Sequence, residues 1–320
     1  MGKIRAQAIE QSNQGNVVAV FDTDRTNPCP YKAYPSPEDI FSDPQIDAVF
    51  ICTPNYQIAP LCIAALKAGK HVFAEKPPAL NAQEIIIVRQ AEALCKKKLM
   101  YGFNHRHHGS IQKMKSIIES NEMGKILWMR GRYGKEIDAA YFDGWRANPQ
   151  LAGGGIMLDQ GIHMLDLFIH FAGEFDEIYS LVSNLFWKME GLEDNVFSIM
   201  RNNTSGICAS LHSTMTQWRY LFSLEIFLER GALILNGLKT SSGAYGDENL
   251  AIKHNPNNNQ RGEFESEQQI TYHVDESWNI EVNSFFNSII QDTDIRLGNS
   301  NDALHLMRAI DKIYESKPSA

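Results

Sequence analysis

The stretch "IDAVFICTPNYQIAPLCIAALKAGKHVFAEKP" (46–77) decides the fold. It opens as a short apolar run, "IDAVFICTP" (46–54), closed by Thr53 and Pro54. "QIAPLCIAALKAG" (57–69) then carries apolar residues at helical spacing and stops at Gly69. "KHVFAEKP" (70–77) is a second apolar run. Strand, helix and strand in such short succession make a βαβ unit, which implies parallel pairing through a right-handed crossover. The alternation extends both ways. Upstream, "IRAQAIEQS" has a helical pattern, "NVVAVFD" (16–22) reads as a strand with a polar stop, and "PEDIFSD" (37–43) as a short acidic helix. Downstream, "NAQEIIIVRQAEALCKKK" (81–98) predicts a long amphipathic helix and "LMYGFN" (99–104) another strand.

After residue 104 the texture changes. A helix, "SIQKMKSIIESNEMG", precedes long and often alternating runs: "KILWMRGRYGK", "FDEIYSLVSNLFW", "DNVFSIMRNN", "SGICASLHSTM" and "LFSLEIFLERGALILNG". Closely spaced turn signals at "NNTSG" (202–206) and "ERG" (229–231) predict a mostly antiparallel sheet. One helix around 156–171 interrupts it, and two more, "EVNSFFNSIIQD" (281–292) and "DALHLMRAIDKIYES" (302–316), close the chain. "NPNNNQRGE" (255–263) reads as a polar loop. The expected fold class is α/β: a Rossmann-like parallel sheet over residues 1–103, its first strand missing, then an α/β domain over 104–320 with a large, mostly antiparallel open sheet.

Composition narrows the function. A chain of 320 residues with 43% hydrophobic residues suits two packed domains. The formal net charge of -8 argues against a general nucleic-acid binder, which needs a basic surface to displace counterions. Five widely spaced cysteines without a CxxC pair argue against a disulfide framework or a zinc site and fit a reducing compartment. No apolar run reaches the roughly 20 residues that span a bilayer. The polar N-terminus lacks a signal-peptide core. The expectation is a cytoplasmic protein with neither nucleic-acid nor membrane partners.

In a doubly wound sheet the first strand feeds a glycine loop onto a helix N-terminus, and an acidic residue about 20 positions on binds the adenosine ribose. Asp22 lies 20 residues after Gly2, at the end of a predicted strand. Gly2 therefore reads as the last glycine of a G-x-G-x-x-G loop whose strand and earlier glycines are absent, so the chain is expected to start inside the phosphate-binding turn. By itself Asp22 reads better as a strand-ending turn residue, and only the βαβ context gives the ribose reading weight. Its carboxylate favours NAD over NADP because it accepts from a ribose 2′-OH and repels a 2′-phosphate. Nearby Arg25 keeps NADP as the alternative.

Two further stretches carry chemistry. "AEKPPAL" places Glu75, Lys76 and Pro77 at the end of a parallel strand, where a lysine would project toward the reactive end of a bound cofactor. A solvated loop lysine is the competing reading. "LAGGGIMLDQGIHMLDLFIHFAG" (151–173) has three glycines that allow close backbone approach to a ligand, followed by an apolar helix. Asp159 and His163 are four apart and share one face, and Asp166 and His170 continue the stripe. On so apolar a helix this stripe is expected to line a cleft, and a packed histidine with a carboxylate partner is the alternative.

"ICTPN" (51–55), "AGKHVFAEKP" (68–77), "WR" (145–146) and "GGGIMLDQGIHMLD" (153–166), in that order, resemble the glucose–fructose oxidoreductase/inositol dehydrogenase/MocA family of NAD(P)-dependent oxidoreductases. The resemblance covers nearly the whole chain. It implies a Rossmann domain, an α/β domain whose open sheet forms oligomer contacts, and hydride transfer between a nicotinamide and a sugar, sugar nucleotide or polyol. Its motif lysine falls on Lys76, and its aspartate and histidine on Asp159 and His163. Thr53, Pro54, Asn55 and Glu75, with Gly2 and Asp22, fall at the cofactor. A histidine common three residues past the Asn is replaced by Ile58.

The expected chemistry is oxidation of a secondary alcohol. His163 takes the proton, Asp159 orients its ring, and Lys76 bonds the same oxygen. Lys76 is the alternative proton acceptor. Arg106, His107, Tyr133, Lys135, Trp145 and Arg146 are candidate substrate contacts. No metal is expected, and the implied assembly is a homodimer or homotetramer through the C-terminal sheet. A non-catalytic sugar- or nucleotide-binding sensor that lost turnover is the competing function.

Overall fold

The βαβ stretch folds as its pattern predicts. β3 (Ala48–Ile51), α3 (Asn55–Lys67) and β4 (His71–Ala74) follow one another, and β3 pairs β4 in parallel from Ala48↔His71 to Ile51↔Ala74. The computed structural model describes residues 1–24, 26, 29–255 and 267–315, so Arg25 and 256–263 of the expected polar loop lie outside the described residues. Around this centre stand α1 (Gly2–Ser12), β1 (Ala19–Val20), β2 (Lys32–Ala33), α2 (Pro37–Ser42), α4 (Ala82–Cys95) and β5 (Leu99–Tyr101). Among the described residues the parallel strands form two pieces, β1-β2 and β3-β4-β5. Local chemistry sets the helix starts. Ser36 and Asp39 close a capping box with Pro37 in the first turn of α2, and Asn81 accepts from the Glu84 N–H at the start of α4.

The second unit begins with α5 (Gly109–Ser120) and β6 (Ile126–Gly134). Short turns lead through α6 (Pro149–Ala152) to a π-helical turn, Met157–Gly161, which runs into α7 (Ile162–Ala172). Then come β7 (Glu177–Ser183), β8 (Asn195–Arg201), β9 (Cys208–Thr214), β10 (Leu221–Leu228), β11 (Gly231–Asn236), β12 (Glu248–His254) and β13 (Gln268–Tyr272). They join β6 in one eight-stranded sheet, order β13-β12-β11-β10-β6-β9-β8-β7. Every pairing is antiparallel except β6 with β9. α7 covers one face, and Gly131 in β6 admits it: a Cβ there would lie 2.4 Å from Met164 Sδ. The opposite face leaves Tyr179, Leu181, Phe197 and Ile199 exposed, while Trp128 stacks on Phe227 at 4.1 Å.

The chain ends with α8 (Ser277–Ile290) and α9 (Ser300–Glu315). Trp278–Leu304 belongs to the first unit with Met1–Asn104, and the residues from His305 rejoin the second. A division at residue 103 that runs on to the C-terminus does not anticipate this return. Its cause is apolar packing. Val282, Phe285 and Phe286 of α8 share a core with Ala8, Ile9, Phe73 and Met100, and Phe285 meets Phe50 and Phe73 edge-on at 5.6 Å. At about 1.5–3 kcal/mol per fully buried large side chain, those α8 residues outweigh sequence distance. No helix among the described residues is long and apolar enough to cross a membrane.

Candidate active site

In the first unit the residues past the strand ends gather where an open α/β sheet takes its ligand. Thr53 and Pro54 follow β3, and Pro54 caps α3, whose first residue is Asn55. Thr53 Oγ1 is buried without a hydrogen-bond partner among the described residues. An unpaired buried hydroxyl is costly, so this edge suits a ligand with polar groups to offer. α1 opens at Gly2 with only the Met1 carbonyl engaged by its first amides, which suits an anion at a helix N-terminus. The chain's own residues thus fit a dinucleotide.

Glu75 extends the ladder past β4, its N–H donating to the Ile51 carbonyl at 2.9 Å. Its carboxylate turns inward. Arg5 Nε donates to Glu75 Oε1 at 2.7 Å, and Arg5 Nη1 lies 2.6 Å from Glu281 Oε2. The guanidinium stands 4.3 Å from the Phe73 ring centre and 4.6 Å from that of Trp278. Burial opposes its charge, but the two carboxylates outweigh burial and hold it firmly protonated. Burial also pushes the neighbouring Cys52 thiol up to about 12, which leaves it unreactive. Lys76 follows half-buried, on a cis bond to Pro77. Asp22 is exposed and accepts from the Asp24 N–H at 2.9 Å, a turn-forming bond.

In the second unit the π-helical turn presents Asp159. The wider turn starts from the buried carboxylate of Glu193, whose Oε1 accepts from the N–H groups of Gly155 and Met157, both at 3.0 Å, and from Tyr314 Oη at 2.8 Å. The glycine run serves this packing. A Cβ on Gly155 would lie 2.0 Å from the Glu193 carbonyl oxygen, and one on Gly154 2.1 Å from Tyr314 Oη. The close approach expected toward a ligand is made to the protein itself.

Asp159 meets two cations. Lys135, just past β6, donates to one carboxylate oxygen, and Arg146 Nε stands 3.4 Å from the other. Lys135 also lies 5.1 Å from the ring centre of Tyr141, and Arg146 covers Trp145 at 4.4 Å. Burial, with Asp159 nearby, pushes the Tyr141 phenol well above its ordinary range. His163 is buried and stacks on His105 at 3.8 Å. His105 Nε2 bonds the Tyr133 hydroxyl at 3.1 Å, and Tyr245, which bonds Tyr133, donates to Gln160 Oε1 at 2.7 Å. The second unit thus brings together Asp159, Lys135 and Arg146 in one cluster and His163 and Tyr133 in another.

The polar stripe of the helix divides. Asp166 is 1% exposed and takes a forked pair of bonds from Arg106, at 2.8 and 2.6 Å. Arg106 and His107, expected at the substrate, are 2% and 5% exposed, and the guanidinium is committed to Asp166. Four residues of these clusters gave no usable signal: Arg5 in the first unit, and Glu193, His105 and Tyr245 in the second. His105 stands inside "NHRHH", beside residues that were singled out. Glu193 and Tyr245 come from loops that only the fold brings near.

A parallel α/β unit followed along the chain by an open-sheet unit that carries Asp159 and His163 is the architecture of a Rossmann-type two-unit protein. Residues 1–103 match the oxidoreductase family with the NAD-binding Rossmann fold, and residues 111–234 match the GFO/IDH/MocA C-terminal domain. The chain belongs to the GFO/IDH/MocA oxidoreductase family. It is similar to myo-inositol 2-dehydrogenase of Thermotoga maritima, 27% identical over 68% of this chain and 64% of that protein. It is also similar to levoglucosan dehydrogenase of Pseudarthrobacter phenanthrenivorans, 34% identical over 45% of this chain and 37% of that one. The match thus spans less than two thirds of either relative's length. A solved levoglucosan dehydrogenase in complex with NADH and levoglucosan shares the fold, with a TM-score of 0.85 at 21% identity over 99% of this chain and 94% of that chain.

Proposed function

We propose that this protein transfers a hydride between a nicotinamide, NAD in preference to NADP, and a secondary alcohol of a sugar, sugar nucleotide or polyol. The observation that carries the reading is the half-buried Asp159 carboxylate flanked by Lys135 and Arg146, on the turn that leads directly to His163. Two cations hold the Asp159 carboxylate in place, as a group that orients a neighbouring imidazole must be held. When bound, the nicotinamide supplies the hydride acceptor. His163 takes the hydroxyl proton, Asp159 orients the ring, and Lys76 donates to the same oxygen as negative charge develops. Thr53, Pro54, Asn55, Gly2 and Asp22 hold the cofactor, and Glu75 fixes the turn before Lys76. Lys135, Trp145, Arg146 and Tyr133 serve the substrate side.

The test follows reduced nicotinamide by absorbance against a panel of inositols, hexoses and anhydrosugars with each cofactor. Lys76→Ala and His163→Ala are each expected to lower kcat by about 10²–10⁴-fold. Unchanged turnover in Lys76→Ala would sink the role assignment, and a clear NADP preference would sink that of Asp22. The proposal also places the protein in the cytoplasm, supported by five free cysteines. It makes it a homodimer or homotetramer through the apolar sheet face of Tyr179, Leu181, Phe197 and Ile199. Light scattering on Leu181→Lys should report a smaller particle.

A further inference from the structure

The hydride-transfer reading leaves two loops of the second unit unused, "NLFWKME" (184–190) and "MTQWRY" (215–220). They place aromatic rings in solvent on a rigid frame. Phe186 meets Trp218 edge-on at 5.0 Å and Trp187 at 5.0 Å, and Trp187 lies 5.8 Å from Phe142. Phe142 is 41% exposed, Leu185 60%, Phe186 56% and Trp218 58%. The frame is built from buried polar groups. Asp194 is fully buried, and its carboxylate accepts from the N–H groups of Leu185, Phe186 and Trp187 at 2.8, 2.7 and 2.9 Å. Trp187 Nε1 donates to the Met215 carbonyl at 3.1 Å. Trp218 has φ 56, a left-handed backbone that a bulky residue adopts only at a cost. Folding alone gains nothing by holding apolar rings outward on such a frame, whereas binding gains from rings ordered in advance.

The shelf is continuous with the Asp159 cluster. Phe142 lies 6.1 Å from Tyr141, whose ring is 5.1 Å from the Lys135 ammonium that pairs with Asp159. The Gln217 N–H donates to the Lys135 carbonyl. Its size speaks against a protein partner. Four large side chains about half exposed offer about 400 Å², against about 800 Å² per partner in a stable complex. Rings set edge to face also present separate small faces instead of one flat plate. A pyranose suits such a face, because its C–H bonds lie against the π system while its hydroxyls stay wet.

We propose that Phe186 and Trp218 form an outer subsite for a second sugar ring, so that the substrate class is a disaccharide-like glycoside. This rests on the sugar-oxidoreductase reading, and the test separates the two. Binding of glucose, cellobiose and maltose to the NADH-loaded protein is measured by calorimetry, with turnover of the same sugars followed in parallel. One disaccharide is expected to bind at least tenfold tighter than glucose. Trp218→Gly, which removes the ring and the backbone strain together, combined with Phe186→Ala, should reduce that preference about tenfold. Trp218→Tyr should retain most of it. Equal binding of all three sugars, or a preference untouched by the double variant, overturns the proposal. So does a double variant that changes the particle's mass while the preference persists. Loss of all turnover with the preference intact fails the hydride-transfer reading and supports the subsite. Oxidation of glucose with no disaccharide preference does the reverse.

Discussion

Glu193→Ala tests the claim that a single buried carboxylate sets the π-helical turn. Glu193 is 2% exposed, and its Oε1 is the acceptor for three donors: the amides of Gly155 and Met157 and the hydroxyl of Tyr314. A hydrogen bond to a charged acceptor contributes ~1.5–3 kcal/mol, and a buried donor left without one forfeits its solvation. Full loss of all three would be larger than the variant should show, because the vacated space admits water. The expected cost is about 3–5 kcal/mol, as for other broken buried charge networks. Glu193→Gln keeps an acceptor without the charge and should cost about 1–2 kcal/mol. Tryptophan fluorescence during urea unfolding is a suitable assay, because Trp128, Trp145, Trp187 and Trp218 lie in the second unit and only Trp278 in the first. A cycle with Tyr314→Phe should give a coupling of about 1–2 kcal/mol. A cost below about 1 kcal/mol for Glu193→Ala, or no coupling to Tyr314, would refute the assignment.

Gly155→Ala drives a methyl group into the Glu193 backbone and should cost about 3 kcal/mol or more, read as a fall in urea midpoint at unchanged slope. Asp166→Asn leaves Arg106 with a neutral partner inside the protein and should cost about 3–5 kcal/mol, with Arg106→Met plus Asp166→Leu recovering much of it. His170 supplies the pH dependence. Burial, then the charges of Arg106 and Lys115, lower it from 6.5 to about 3. A depressed histidine favours the fold above its unfolded value, and that contribution is lost as pH falls from 6.5 toward 3. Between pH 7 and 5 the wild type should therefore lose about 2 kcal/mol more than His170→Leu, checked by urea midpoints at both values.

The first unit was legible because its elements are local. The run 46–77 switches period from strand to helix to strand with Gly69, at φ 78, marking the helix end, and no tertiary contact is needed to read it. The antiparallel second sheet was legible from alternation, as in β8, where buried Val196, Ser198 and Met200 alternate with exposed Phe197, Ile199 and Arg201. What stayed hidden depends on distance along the chain. Arg5 and Glu75 are 70 residues apart, and Arg106 and Asp166 are 60 apart. No local pattern marks a charge that will be buried against a partner so remote. The return of α8 was hidden for the same reason, since its apolar stripe names no target.

The helix from Met157 to Ala172 shows why side-chain spacing alone could not assign roles. By position, carboxylates near its start and a histidine near its end complement the helix dipole, an effect of about 0.3–1 kcal/mol. At the start the dipole and the local partners agree: Glu193 gathers the free amides and Asp159 meets Lys135 and Arg146. At the end they disagree. The dipole would favour a charged His170, yet desolvation and two nearby cations oppose it with several times that energy, and the ring is held neutral. Between them Asp166 is neutralised by Arg106 and buried. The stripe therefore carries four titratable groups in four different settings, and only the turn that the π-helix widens leaves its carboxylate within reach of solvent. Which end of the stripe stays open to solvent is decided by the partners of each group and not by the helix that presents them.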